Sequence, residues 1–384
     1  MSTIAPPPVT HEQLPLGWGP RRLAHPKVAA AVATVVGGFV TSLGAGIAIR
    51  FLTKTGLTWT SVLGLVTLGV GLALLTYAWT VFWRVSHRWQ RLWFIPAAIV
   101  ALLAMFSVAQ GAMLAYAPRN DLGSATPSDR GLTYNNVTFR TSDGVRLSAW
   151  FIPSTNHAAI VTVPGSGSNR TTTLGQATVL AQHGYGVLMV DPRGQGRSGG
   201  RAMDAGWYGD RDVTAAVTFL QHQRGVDAAR IGVLGLSMGG EEAIGAAAAD
   251  SAIRAVVAEG ATHRTAADKA GYLPNGVTGA VQRGLDWLTY GTAALLSAAP
   301  QPRTLHSAIA RAGSTPFLLI AGGKAIDEPE AVAYLRTAAP DRVQTWTVVR
   351  ATHTHGLTTA AEEWKSRVTS FFDRALGISM AGRP

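Results

Sequence analysis

The chain has 384 residues, of which 47% are hydrophobic and only 14% charged; its formal net charge is +11 and it has no cysteine. A soluble domain carries about 25% charged residues, so part of this chain is built for apolar surroundings. The lack of cysteine excludes disulfides, thiolate metal sites and cysteine nucleophiles. Residues 1–131 hold 10 Lys/Arg against 3 Asp/Glu and no basic run with interleaved aromatics follows, which argues against nucleic-acid binding.

Three runs, 28–49, 57–83 and 92–117, contain no Asp, Glu, Lys or Arg. Each exceeds the roughly 20 residues that cross a bilayer core as a helix. Trp59, Trp79, Trp83, Trp89, Trp93 and Tyr116 gather toward the ends of the second and third runs, as an aromatic belt does. In the first run Gly38, Ser42 and Gly46 recur every fourth residue, a spacing that lets helices approach closely. Arg21, Arg22 and Lys27 share one side of the membrane with Arg84, Arg88 and Arg91, against Arg50, Lys54 and Arg119 on the other. The positive-inside rule then predicts a multi-pass cell-membrane protein with segment 1–27 in the cytoplasm and the chain beyond about 118 outside.

Residues 118–131, polar and bearing Pro and Gly, read as a linker. Beyond it, 132–384 alternates strands and helices. Segments 137–141 and 145–152, split by Asp143-Gly144, predict a hairpin. Apolar strands are expected at 158–163, 186–190, 230–234, 255–258, 317–321 and 345–349, with amphipathic helices between most of them. That pattern implies a parallel sheet covered on both faces. The long stretch 262–312 lacks a strand and contains Trp287 and Tyr290, so it reads as a helical cap.

The strand at 230–234 runs into Gly235-Leu236-Ser237-Met238-Gly239. This G-x-S-x-G pattern between a strand and a helix exposes a serine hydroxyl on a sharp turn, with glycines giving the clearance. Ser237 is therefore the candidate nucleophile; its proton must go to a base. The N–H of Met238, at the start of the following helix, faces developing negative charge there.

Together with Val190-Asp-Pro-Arg-Gly-Gln-Gly-Arg-Ser198 and Ala351-Thr-His-Thr-His-Gly-Leu357, this motif makes residues 133–376 resemble an α/β-hydrolase. The resemblance implies an eight-stranded, mostly parallel sheet with the nucleophile after the fifth strand. It implies His353 as the base, with His355 as the alternative, and Asp327 as the orienting acid, with Glu259 as the alternative and Glu328 and Glu330 crowding the same segment. The second oxyanion donor falls on the N–H of Ser166, in Val163-Pro-Gly-Ser-Gly167, where the family usually carries His-Gly. Asp191 and Arg193 are read as pinning loops beside the site.

The function expected is a membrane-anchored serine hydrolase, carboxylesterase- or lipase-like, cleaving ester, thioester or amide bonds through an acyl-enzyme. The substrate expected is a small-molecule or lipid acyl compound; no metal, cofactor or nucleic acid is called for, and the residues name no protein partner. An acyltransferase or peptidase using the same triad, or a silent membrane scaffold or receptor, are the alternatives.

Overall fold

The computed structural model describes residues 26–201 and 204–378. Arg21 and Arg22, in the expected cytoplasmic segment, lie outside the described residues. The first part is a helical bundle of α1 (Pro26–Thr55), α2 (Trp59–Val85), the short α3 (Arg88–Leu92) and α4 (Phe94–Ala115). Helices α1, α2 and α4 are long and apolar enough to cross a membrane.

Small residues set how these helices pack. The Gly38–Gly46 stripe of α1 faces α4: a Cβ on Gly46 would sit 3.2 Å from Cα of Ala109, and one on Gly38 3.7 Å from the Met105 side chain. A second stripe, unread in the sequence, faces α2. Gly37 and Gly44 of α1 meet the backbone at Leu75 and Leu68, while Gly64 and Gly71 of α2 meet Ala48 and Thr41. The α1–α2 seam is therefore a close backbone approach from both sides, made possible by its small residues.

The expected linker is not slack where it leaves α4. The Asn120 N–H donates to Gln195 Oε1 at 2.7 Å, and its carbonyl accepts from Gly196 N–H at 2.9 Å. Arg119 Nη1 donates to the carbonyls of Gly196 and Ser198 at 2.8 and 2.7 Å. Beyond this strap a single 3-10 turn at Pro127–Arg130 leads into the sheet.

The sheet has eight strands: β1 (Asn135–Arg140), β2 (Arg146–Ile152), β3 (Ala159–Val163), β4 (Gly186–Val190), β5 (Ile231–Leu236), β6 (Ile253–Glu259), β7 (Phe317–Gly322) and β8 (Val343–Val348). Their order is β1-β2-β4-β3-β5-β6-β7-β8; the β1–β2 and β2–β4 pairs are antiparallel and the rest parallel. Strands β3 to β5 are buried throughout, as a sheet covered on both faces requires.

On one face Val161, Leu188, Val233, Val256 and Leu319 pack under α6 (Gly209–Gln221) and α7 (Met238–Ala247). On the other, Ile160, Met189, Leu234, Val257 and Ile320 pack under α5 (Leu174–Gln182) and the C-terminal helix, which brings Trp364, Val368 and Phe372. Between β6 and β7 come α8 (Ala266–Ala270), α9 (Val277–Leu296) and α10 (Leu305–Arg311). The expected cap is narrower than 262–312, because α10 buries Leu305, Ala308 and Ile309 in the first of these cores and belongs to the sheet's cover. The chain ends with α11 (Glu328–Arg336), α12 (Gly356–Thr359) and α13 (Ala361–Leu376).

Candidate functional site

Ser237 stands between β5 and α7 with φ 54° and ψ −125°. A non-glycine residue rarely holds a positive φ, and here the surroundings enforce it. Its N–H donates to the Glu259 carbonyl at 2.7 Å. A side chain on Gly235 would strike the Gly239 carbonyl, and one on Gly239 would strike the carbonyls of Val163 and Pro164. The turn therefore exists because both glycines flank the serine. Gly165 comes against it from the turn after β3, so close that a Cβ would lie 3.2 Å from Ser237 Cβ.

The loop after β8 brings His353 to this hydroxyl. His353 Nε2 lies 2.8 Å from Ser237 Oγ, and Nδ1 lies 2.5 Å from Glu328 Oε1. A hydroxyl, an imidazole and a carboxylate in this row can take the serine proton and steady the resulting imidazolium. The Glu328 carboxylate on Nδ1 holds the His353 imidazole above its usual range, against the opposing effect of burial. Glu328 Oε2 accepts from Gly322 N–H at 2.7 Å, so its second oxygen is tied to the end of β7.

This corrects the expectation for the acid. Asp327 does not meet His353; its carboxylate lies 3.9 Å from Lys269 Nζ, toward the cap. The reason is local: Asp327 takes a left-handed conformation with φ 69°, so α11 begins at the next residue and turns Glu328 inward. Glu328 is 2% exposed, Asp327 36%.

Glu259, the alternative acid, is a brace for the histidine loop. Its Oε1 accepts from Gly356 N–H at 2.7 Å and its Oε2 from Trp364 Nε1 at 2.9 Å, while burial pushes its carboxyl up. His355, the alternative base, turns onto its own loop, with Nδ1 2.7 Å from the His353 carbonyl.

Of the two expected oxyanion donors, Met238 is the first residue of α7, where the first helical N–H groups have no acceptor within the helix. Ser166 lies exposed at the tip of the turn that begins at Gly165. Asn120 Nδ2 donates to the Gly167 carbonyl, and Arg50, near the end of α1, brings Nη2 within 2.9 Å of where a Gly167 Cβ would stand. Met238 packs against Ala117. The serine turn and its neighbour are thus walled by the exit of the membrane-like bundle, which the composition of 118–131 had not signalled.

Asp191 accepts from Arg170 Nη2 at 2.6 Å and from Arg197 N–H at 2.8 Å, and Arg193 pairs with Asp143 and Asp212. Both pin loops, as their sequence context implied.

The cap side is polar. Gly260 lies under the His353 ring, where a Cβ would be 3.0 Å from Cε1. Two residues on, Thr262 and His263 donate their N–H groups to Glu241 Oε1 at 3.3 and 3.2 Å. His263 Nδ1 lies 3.0 Å from Tyr272 Oη, and burial together with Lys269 pulls its pKa down to about 4. Burial pushes Glu241 up to about 7. No group of three or more metal-ligating side chains occurs among the described residues.

Known proteins bear on this geometry. The esterase Pf2001 of Pyrococcus furiosus aligns with 68% of this chain and 100% of its own, at 26% identity and a TM-score of 0.55. An uncharacterized protein of Mycobacterium tuberculosis, Rv2307c, is 34% identical over 161 residues, 39% of this chain and 55% of that protein. The thiohydrolase aneE of Aspergillus aculeatus is 34% identical over 137 residues, 34% of this chain and 43% of that protein. The chain thus spans about half the length of these curated relatives. The family model described as X-Pro dipeptidyl-peptidase (S15 family) matches residues 114–370, from the end of α4 to within α13. With more than half of its length under that match, the chain belongs to the S15 family.

Proposed function

We propose that the chain is a membrane-anchored serine hydrolase that cleaves acyl esters or thioesters through Ser237, His353 and Glu328. The observation that carries this reading is the row from Ser237 Oγ to His353 Nε2 at 2.8 Å and from His353 Nδ1 to Glu328 Oε1 at 2.5 Å. His353 takes the Ser237 proton as Oγ bonds to the acyl carbon. The carbonyl oxygen becomes an oxyanion facing the Met238 and Ser166 N–H groups. The bond to the leaving group then breaks, and His353 returns the proton to that group. Water repeats the sequence on the acyl-enzyme, with His353 as base, and frees the acid.

Membrane anchoring is supported by three helices long and apolar enough to span, and the charges flanking them favour an extracytoplasmic hydrolase domain. The named esterase and thiohydrolase relatives favour ester and thioester substrates. The S15 family description favours a second reading, a peptidase that uses the same three side chains.

The test uses the full chain in lipid. A fluorophosphonate probe labels wild type and not Ser237→Ala, and hydrolysis of an ester and thioester chain-length panel is compared with that of an Xaa-Pro anilide. Lack of labelling of the folded protein overturns the hydrolase reading. Faster turnover of the anilide than of every ester selects the peptidase.

A further inference from the structure

Helix α9 is amphipathic in an unusual sense. Its buried side faces the site: Asp286 lies 3.3 Å from Lys269 Nζ, and the Tyr290 ring packs edge-on against His263. Its outer side is apolar from end to end. Val277, Val281, Trp287 and Leu295 are 81, 51, 69 and 71% exposed, and the other exposed residues of the helix are Ala or Gly apart from Thr278. Residues 277, 281, 288 and 295 fall on one stripe at 100° per residue, with Trp287 beside it. A water-facing helix normally carries charge on this side.

The buried flank of α9 also packs on α4. Gly111 is packed so closely on α9 that a Cβ would strike the Thr289 carbonyl and the Thr292 side chain, and Leu114 packs against the cluster that holds Tyr290 and Ala293. Gly111 is four residues from the end of α4, about 6 Å along its axis. Leu102 and Phe106, on the side of α4 turned from Gly111, are each 64% exposed, so the helix that carries α9 presents an apolar surface of its own.

We infer that α9 lies in the bilayer interface with its outer face in the acyl region of the leaflet where α4 ends. The hydrolase site then opens beneath a helix wetted by lipid, and the substrate class is an amphiphilic acyl ester or thioester drawn from that leaflet. The inference rests on the reading that α1, α2 and α4 span the membrane, and its substrate part on the hydrolase reading. Lipid is favoured over a protein partner because α9 packs directly on the end of a helix that itself needs lipid, and because a tryptophan among small residues suits the interface.

The chain has no cysteine, so single probes can be placed at will. Full-length protein in phosphatidylcholine–phosphatidylglycerol nanodiscs carries a nitroxide on Val281→Cys, Trp287→Cys or Leu295→Cys, with Val349→Cys on the sheet domain as the aqueous control. The inference expects oxygen to relax the first three at least about threefold more effectively than a water-soluble nickel chelate, and the reverse at 349. Three probes matching position 349 overturn it. So does shielding from both reagents with coupling between copies, which makes the face a protein contact.

A second arm compares Leu295→Ser and Val281→Ser with wild type. Hydrolysis of a long-chain ester in vesicles falls about tenfold while that of a soluble short-chain ester is unchanged. Equal loss on both overturns the lipid-delivery part. The nitroxide arm needs no turnover, so failure of the hydrolase reading at Ser237→Ala stays separable from failure of this one.

Discussion

Two neighbouring carboxylates, one residue apart, have opposite surroundings. Glu328 is buried on His353 Nδ1 and Asp327 faces Lys269. Glu328→Gln is expected to keep the shape and lose about 10³-fold or more in kcat, because the amide cannot stabilise the imidazolium. Asp327→Asn should stay within about threefold of wild type, since the residue is half exposed and touches no reacting group. Steady-state kinetics of the pair decides the acid.

The sign of the pH dependence follows from the same contact. Glu328 raises the His353 pKa, and in the proposed mechanism His353 takes the serine proton only when neutral. Activity should therefore climb with pH through a midpoint above the ordinary imidazole value of 6.5, and Glu328→Gln should move that midpoint down. The ion pair's contribution to stability has the matching sign: it is complete below the unfolded histidine pKa and lost as pH rises through the folded one.

The sequence pattern singled out Ser237 and His353, which the structure sets 2.8 Å apart, but it put Asp327 where the structure has Glu328. G-x-S-x-G names a residue whose orientation is dictated by its flanking glycines. The acid loop has no such constraint: Asp327, Glu328 and Glu330 lie together, and a single left-handed residue decides which carboxylate turns inward.

At the scale of elements, the strap after α4 behaves as part of the sheet domain. Its partners lie 47 to 79 residues away, at Gly167, Asn169, Gln195, Gly196 and Ser198. A polar, proline-bearing stretch looks the same in sequence whether it dangles or is stitched down, so this was not legible there. The strands were: their apolar runs stop where turns or helix caps begin, and all eight lie within two residues of their expected bounds at both ends.

Asn120→Ala removes the side-chain donor to the Gly167 carbonyl beside the expected oxyanion turn. We expect kcat to fall about tenfold with KM and the pH midpoint unchanged, since ordering of that turn is lost while the Ser237–His353 pair is not touched. An unchanged kcat would count against any role of the strap in turnover.

Across the whole molecule, the small residues of α1 meet α2 on one side and α4 on the other, and α4 in turn carries α9. The bundle and the sheet domain therefore share an interface rather than a tether. The proposed orientation gives a direct outcome. Thr218→Cys, on an exposed face of α6, should react with a membrane-impermeant maleimide on intact cells, and His87→Cys, between α2 and α3, should react only after permeabilisation. The reverse pattern inverts the topology.

Arg50 is set in α1 with its guanidinium beside Gly167, and Asn120, which follows α4, donates to the carbonyl of the same glycine. One bundle helix and the strap that leaves another thus abut one peptide of the loop opposite the Ser237 hydroxyl. If either helix leans to suit a thinner or thicker host bilayer, that peptide moves with it, as a needle moves with its gauge. Turnover should accordingly vary with the chain length of the surrounding phospholipids even for a substrate dissolved in water.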